Sequence, residues 1–153
     1  MGKLLLVLGG VRSGKSSYAE QRAADDSADV LYVATSLAID EEMKARIARH
    51  RAQRPDTWQT IEEPLQIARS LDGVALPATV LIDCITVLIS NLMVEATGPY
   101  DDAFDSPRRD PFSDQVQAKV MAPITELIEL ISRSDADFII VSNEVGLGVV
   151  PPY

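Results

Sequence analysis

The sequence predicts an α/β fold in which a mostly parallel sheet carries helices on both faces. Apolar stretches typical of buried strands alternate with stretches of helical spacing, and parallel strands need helical crossovers of this kind. A glycine-rich segment, GGVRSGKS, joins the first apolar stretch to the first helical one. A length of 153 residues is enough for one core, so we expect a single domain over residues 1–153.

The first half of the chain repeats a strand–helix pattern. The run Leu4–Leu8 is apolar at every position, which predicts a strand buried on both faces. Asp40 fits the N-cap of a later helix, and Pro55 lies just past that helix's end. The predicted elements are a strand over 4–8, a helix over 15–24, a strand over 29–36, a helix over 40–53, a short strand over 57–64 and a helix over 64–71.

The second half contains two further strong strands, ATVLID and DFIIVSN. Between them, the segment 98–112 has three prolines and many charges, which predicts a loop. After the last strand, the segment NEVGLGVVPPY shows no obvious helix or strand. The predicted elements are a strand over 78–83, a helix over 86–96, a helix over 116–132 and a strand over 137–143.

Composition argues against several functional classes. The formal net charge is −9, which argues against a surface made for nucleic acid. Cys84 is the only cysteine, so an internal disulfide framework and a multi-cysteine zinc site are both excluded. No basic, apolar leader precedes the first strand, and no apolar run reaches the ~18 residues of a membrane span. We therefore expect a cytoplasmic protein without a membrane span or a nucleic-acid partner.

The glycine-rich segment matches the phosphate-binding P-loop pattern in full. Glycines let backbone N–H groups turn inward around a polyphosphate, and the following helix directs its positive end at the same anion. Lys15 is expected to reach the β- and γ-phosphates, and the Ser16 hydroxyl to bind Mg²⁺. The alternative is a turn without a ligand, but the position between a strand and a helix favours the P-loop. The expected nucleotide-binding residues are Gly9, Gly10, Val11, Arg12, Ser13, Gly14, Lys15 and Ser16.

A second ligand for Mg²⁺ is expected at the end of another strand. Asp83 ends the run TVLID, where P-loop enzymes place a metal-binding carboxylate. The metal site would then combine Ser16 with Asp83. The alternative is that Asp83 only caps the helix that follows it.

His50 is the only histidine, and it lies in a basic helical stretch. It shares a helix face with Met43 and Ile47, so the imidazole should face inward. A neutral imidazole beside bound phosphates can attack phosphorus. Taken alone, the commoner interpretation is a solvated basic helix in which His50 only packs. The basic residues around it are Lys44, Arg46, Arg49, Arg51 and Arg54.

Five segments together resemble a known enzyme family. They are GGVRSGKS, LYVATS, DEEMKARIARHRAQRPDTW, LIDCIT with NLM, and VSNEVGLGVVP. In this order they look like the bifunctional adenosylcobinamide kinase / adenosylcobinamide-phosphate guanylyltransferases of cobalamin biosynthesis. The resemblance covers nearly the whole chain and implies a RecA-like P-loop fold and a homo-oligomer, commonly a trimer. Family members continue past VVP through a further helix and strand, which implies a domain here that lacks both.

The resemblance also implies two reactions. A nucleoside triphosphate, ATP or GTP, first phosphorylates adenosylcobinamide, and GMP then moves from GTP to that phosphate. In the family a histidine carries GMP, and its position is that of His50, which favours a catalytic His50 alongside Lys15. By motif position, the resemblance adds to the nucleotide site Ala34, Thr35, Ser36, Arg51, Ala52, Gln53, Arg54, Glu62 and Asp83.

Two other functions remain open on sequence grounds. One is another P-loop small-molecule kinase in which His50 is structural. The other is a nucleotide-binding regulatory protein that switches without catalysing a reaction. Only the cobinamide enzyme should form a guanylylated protein from GTP.

Overall fold

The computed structural model describes residues 2–37, 41–52, 54–98 and 109–144. Each predicted strand and helix is present, with ends that differ from the prediction by a few residues. The elements are β1 (Leu4–Gly9), α1 (Lys15–Asp26), β2 (Val30–Ala34), α2 (Glu41–Ala52), β3 (Gln59–Glu62), α3 (Ile67–Leu71), β4 (Thr79–Asp83), α4 (Ile85–Thr97), α5 (Asp114–Arg133) and β5 (Asp137–Asn143).

The five strands form one parallel sheet in the order β1-β5-β4-β2-β3. β5 therefore lies between β1 and β4, although it is the last of the described strands along the chain. This order sets the ends of β1, β4 and β5 side by side, with Gly9 paired to Asn143 and Val141 paired to Asp83. Because parallel strands share one carboxyl edge, the loops that leave them form a common rim.

Helices cover both faces of the sheet, as predicted, and each face has its own apolar cluster. On one face, α3, α4 and α5 pack against side chains such as Val80, Ile82 and Phe138. On the other face, Ala19 and Ala23 of α1 belong to a cluster with Leu81. Alternate residues of the central strands point to opposite faces. Both sets must therefore be apolar, which explains the unbroken apolar runs in the sequence.

The prediction that β1 is buried on both faces is wrong. Val7 is 8% exposed and packs on the α1 side, but Leu4, Leu6 and Leu8 are 58%, 52% and 58% exposed. Leu4, Leu6 and Leu8 point to the face opposite Val7, and none of the described helices packs closely over β1 on that face. β1 is also an edge strand of the described sheet. An apolar run indicates a buried strand without indicating which strands will lie beside it.

Some predictions fall outside the described residues. They are the prediction of Asp40 as a helix cap, most of the predicted loop over 98–112, and the predictions for the chain after residue 144. None of the helices in the described ranges has the length and apolar character that a membrane span requires.

Candidate active site

The P-loop depends on glycine at two of its positions. Gly14 is the N-cap of α1 and has φ of +84°, a left-handed conformation that glycine adopts without a steric penalty. A Cβ on Gly9 would lie 2.5 Å from Ser13 Oγ, so any larger residue there would force the Ser13 hydroxyl to move. Arg12 also has a positive φ, 56°, which is unfavourable for a residue with a side chain. The loop therefore holds some backbone strain beside the pocket.

Lys15 lies over this loop. Its Nζ donates a hydrogen bond to the Gly10 carbonyl oxygen at 3.1 Å. An ammonium group has three donors, so one bond to the loop leaves capacity for phosphate oxygens. The predicted role of Lys15 therefore agrees with its position at the start of α1.

A pocket of about 300 Å³ opens where the P-loop meets the carboxyl ends of the strands. This volume is at the small end of the range for ligand sites. Positive charge dominates its lining, as binding of a polyphosphate requires. Four cations, Arg12, Lys15, Arg51 and Arg54, face two carboxylates, Glu62 and Asp83, and the apolar side chains of Val11, Ile47 and Val87.

α2 directs His50 into this pocket. Ile47, one turn earlier, lines it as well, which agrees with the predicted inward face. Met43 belongs to the same predicted face, but its side chain lies outside the described residues. The imidazole is thus in the same cavity as Lys15 and Ser16, more than thirty residues away in sequence.

The basic residues around His50 do not form one patch. Arg51 and Arg54 line the pocket, whereas Arg49 is exposed and outside its lining. Lys44 Nζ is 2.6 Å from Glu41 Oε1 and forms an ion pair within the helix. The side chain of Arg46 lies outside the described residues. Helical geometry turns successive residues by about 100°, so a basic run in sequence is divided between faces.

Arg54 is a largely buried cation of the pocket. Its side chain is 7% exposed and pairs with Glu20 of α1, with Nε 3.3 Å from Oε1. Its guanidinium carbon lies 3.2 Å from the centroid of the Tyr32 ring, a close cation–π contact. Burial raises the pKa of the Glu20 carboxyl, and the Arg54 guanidinium opposes that rise. Arg54 therefore joins α1 and β2 to the end of α2.

Tyr32 in turn holds Asp83. The phenolic hydroxyl donates to Asp83 Oδ2 at 2.8 Å, across neighbouring strands. Burial and the nearby carboxylate raise the pKa of the Tyr32 phenol, so it stays protonated and remains a donor. The interpretation of Asp83 as a helix cap is not supported, because the N-cap of α4 is Cys84. Asp83 instead lines the pocket.

Some of the other predicted site residues line the pocket, and the rest lie elsewhere. Ala34, Ser36 and Glu62 line the pocket with the cations and Asp83. Thr35 is fully buried behind it and binds the backbone of Cys84. Gly9, Gly10, Ser13, Gly14 and Ala52 are outside the lining of the described pocket, and Gln53 lies outside the described residues.

Several lining residues were not predicted from the sequence. Tyr32, Thr60, Cys84 and Asn143 are among them. Asn143 is the last residue of β5, and ligands of open α/β sheets bind at the carboxyl ends of strands. Applying that rule to every strand would have found Asn143 and Glu62 together. Tyr32 gives no such signal, because it lies inside an apolar strand.

The donor types at the pocket suit a small, hard cation. Ser16 supplies a hydroxyl and Asp83 a carboxylate, and both line the cavity. The described residues contain no group of three or more His, Cys, Asp and Glu side chains that could hold a metal ion. A cation here would therefore depend on phosphate oxygens of a nucleotide, which is the usual arrangement for Mg²⁺.

Comparison with known proteins shows which family the chain resembles. The sequence model of the family described as cobinamide kinase / cobinamide phosphate guanyltransferase matches residues 5–153. The chain is 39% identical over 150 residues to the Escherichia coli bifunctional adenosylcobalamin biosynthesis protein CobU, covering 97% of this chain and 78% of that protein. It is 42% identical over 147 residues to the Pseudomonas aeruginosa protein CobP, covering 95% and 74% respectively.

A solved structure supports the fold independently. The crystal structure of the RadB recombinase matches with a TM-score of 0.51 at 18% sequence identity. The match covers 93% of this chain and 61% of that chain, so the present chain spans less than two thirds of the recombinase's length. At this identity the match concerns the fold alone. It confirms the prediction of a RecA-like α/β sheet.

Proposed function

The chain belongs to the cobinamide kinase / cobinamide phosphate guanyltransferase family, and we propose that one pocket serves both of its reactions, with His50 as the residue that carries GMP. The family makes this protein a transferase of cobalamin biosynthesis. The observation that carries the proposal is the position of His50. It lines the same pocket as Lys15, Ser16 and Asp83 of the phosphate-binding end.

In the first reaction, a hydroxyl of adenosylcobinamide takes the γ-phosphoryl group of ATP or GTP. An oxygen–phosphorus bond forms, the hydroxyl proton is released to solvent, and the bond from the γ-phosphorus to the bridging oxygen of the nucleoside diphosphate breaks. Lys15 and Arg12 line the pocket, and in this proposal they stabilise the charge that moves onto the leaving diphosphate. Such interactions accelerate the reaction because they strengthen as that charge develops.

In the second reaction, an imidazole nitrogen of His50 attacks the α-phosphorus of GTP. A phosphorus–nitrogen bond forms, and pyrophosphate leaves with the electrons of the broken phosphorus–oxygen bond. An oxygen of adenosylcobinamide phosphate then attacks the same phosphorus and releases the imidazole. Arg51 lies beside His50 and lines the pocket, where it can stabilise the negative charge of the transferring group.

Mg²⁺ would neutralise part of the triphosphate charge when bound, and Ser16 and Asp83 are the residues that would hold it.

We also propose a cytoplasmic protein that works as a homo-oligomer, a trimer by family resemblance.

Intact-protein mass spectrometry after incubation with GTP and Mg²⁺ tests the carrier. The parent should gain a GMP-sized adduct, and His50→Asn should not, because an amide offers no comparable nucleophile. The phosphorus–nitrogen bond should be labile in acid and comparatively stable in alkali. Arg49→Gln is the matched control on the same helix, since Arg49 is exposed and outside the pocket lining. It should form the adduct as the parent does.

The phosphorylation of adenosylcobinamide is measured separately in the same variants. His50→Asn should retain it at least in part, whereas Lys15→Ala should lose most of it, by about a hundredfold or more. An adduct that persists in His50→Asn, or that maps to another residue, would contradict the carrier role. Loss of both reactions in a folded His50→Asn variant would also contradict it, since the imidazole would then be needed elsewhere.

A further inference from the structure

The hydroxyl of Tyr32 binds the carboxylate that we assign to the metal. Asp83 is the last residue of β4, and Tyr32 lies in the neighbouring strand β2. Their hydrogen bond of 2.8 Å ends on Oδ2, and Oδ1 accepts no hydrogen bond from any of the described residues. The hydrogen bond therefore gives the two oxygens of this carboxylate different surroundings. One oxygen is held by the protein, and the other is left to the pocket.

Tyr32 is itself held in place from two sides. The residue is 3% exposed, and its ring belongs to the apolar cluster between the sheet and α1. The guanidinium of Arg54 lies 3.2 Å above the ring centroid, so the phenol cannot swing away from Asp83 without breaking that contact. Arg54 is fixed in turn by Glu20 at 3.3 Å and by Thr60 Oγ1 at 3.5 Å from Nη1.

This set of contacts connects four elements at one point. Glu20 belongs to α1, Thr60 to β3, Tyr32 to β2 and Asp83 to β4. An exposed carboxylate at a strand end rotates freely about its side-chain torsions, and each alternative rotamer lowers the fraction ready to bind a cation. A buried donor on a rigid strand removes that freedom, as outer-layer partners of metal ligands do in general.

We propose that Tyr32 is a positioning residue for Asp83: its hydroxyl fixes the carboxylate so that Oδ1 faces the Mg²⁺–nucleotide complex. The ion pair of Glu20 with Arg54 supports this by holding the ring. The inference rests on the proposed role of Asp83 in the nucleotide site. It does not depend on His50, so the two proposals can fail independently.

The test measures how Mg²⁺ promotes the binding of a non-hydrolysable ATP analogue, without any turnover. In Tyr32→Phe the midpoint of the Mg²⁺ titration should rise about three- to tenfold, since a hydrogen bond to a charged group is lost while the ring stays. Affinity for the analogue in EDTA should stay within twofold of the parent. Tyr18→Phe is the matched control, because Tyr18 lies on α1 with 58% exposure. It should leave the midpoint unchanged.

Two further variants separate positioning from a general structural role. In an Asp83→Asn background, Tyr32→Phe should move the midpoint by less than twofold, because the carboxylate that it orients has gone. Glu20→Gln keeps the phenol and loosens Arg54, and it should raise the midpoint by a smaller factor than Tyr32→Phe. If Tyr32→Phe does not fold, the Mg²⁺ midpoint of Glu20→Gln tests the positioning role instead.

Several results would overturn the inference. A midpoint that is unchanged or lowered in Tyr32→Phe would mean that the phenol is neutral or competes with the cation. An equal loss of affinity in EDTA would indicate damage to the whole pocket. A parent that binds the analogue equally well with and without Mg²⁺ would remove the metal role of Asp83 altogether. A normal Mg²⁺ response without a His50 adduct would instead refute only the carrier.

Discussion

Thr35 is fully buried, yet both hydrogen-bonding capacities of its hydroxyl are used. The hydroxyl donates to the Cys84 carbonyl oxygen and accepts from the Cys84 N–H, each at 2.8 Å. The Asn91 amide donates to the Thr35 carbonyl oxygen at 2.9 Å and so holds Thr35 from the other side. Because Cys84 directly follows Asp83, this clamp fixes the backbone from which the pocket carboxylate projects. Thr35 therefore acts on the pocket from behind its wall.

Thr35→Val should lower the free energy of unfolding by about 2 kcal/mol at almost constant volume, because it leaves the buried Cys84 N–H without its partner. The Cys84 carbonyl oxygen loses one hydrogen bond but keeps the one from the Leu88 N–H. Chemical denaturation measures the change. Thr35→Ser keeps the hydroxyl and is the matched control, with a smaller loss. If the valine variant were as stable as the serine variant, the clamp would contribute nothing to folding.

At the scale of elements, α3 shows how a very short helix is started. Glu63 precedes it, and one carboxylate oxygen accepts from Leu65 N at 2.9 Å and Gln66 N at 2.8 Å. The other oxygen accepts from Ser70 Oγ at 2.6 Å. Burial alone would raise the pKa of Glu63, but these hydrogen bonds outweigh it and lower the pKa below its ordinary 4.5. The charged form is therefore preferred in the folded state.

A carboxyl group whose pKa is lower in the folded state than in the unfolded state stabilises the fold at pH values above its unfolded-state pKa. This stabilisation is lost as the pH falls through the folded-state pKa. Glu63→Gln should therefore be less stable than the parent at neutral pH, by about 1 kcal/mol. The difference should shrink as the pH falls below about 4.5. Denaturation at a series of pH values measures it, with the exposed Glu129→Gln as control. A difference that is constant with pH would contradict the assignment.

At the scale of the whole molecule, the strands and helices that surround each strand decide which of its apolar residues are buried. Leu81 in β4 has neighbouring strands on both sides and is fully buried. Leu6 in β1 has a neighbour on one side among the described strands and is 52% exposed. Two leucines of the same sheet therefore bury different amounts of apolar surface. Burial of apolar area, rather than strand propensity, dominates such contributions.

Leu81→Ala should lower the free energy of unfolding by about 3 kcal/mol, through lost apolar burial and the cavity that remains. The matched substitution Leu6→Ala should cost less than about 1 kcal/mol in this chain. Urea denaturation of both variants measures the difference. Equal costs would mean that Leu6 is covered in solution to the same extent as Leu81.

Local sequence patterns were enough to predict the alternation of strands and helices, the P-loop from Gly9 to Ser16 and the inward direction of His50. Each of these depends on spacing within one short stretch, where backbone geometry and residue type act directly. Strand pairing and packing were needed to establish that β1 lies at the edge of the described sheet, that Thr35 lies behind the pocket wall, and that Tyr32 and Arg54 hold Asp83 and Glu20. Tyr32 and Asp83 are 51 residues apart, and their contact exists because β2 and β4 are neighbours. Strand order results from the packing of all helices and strands together, which no local pattern specifies.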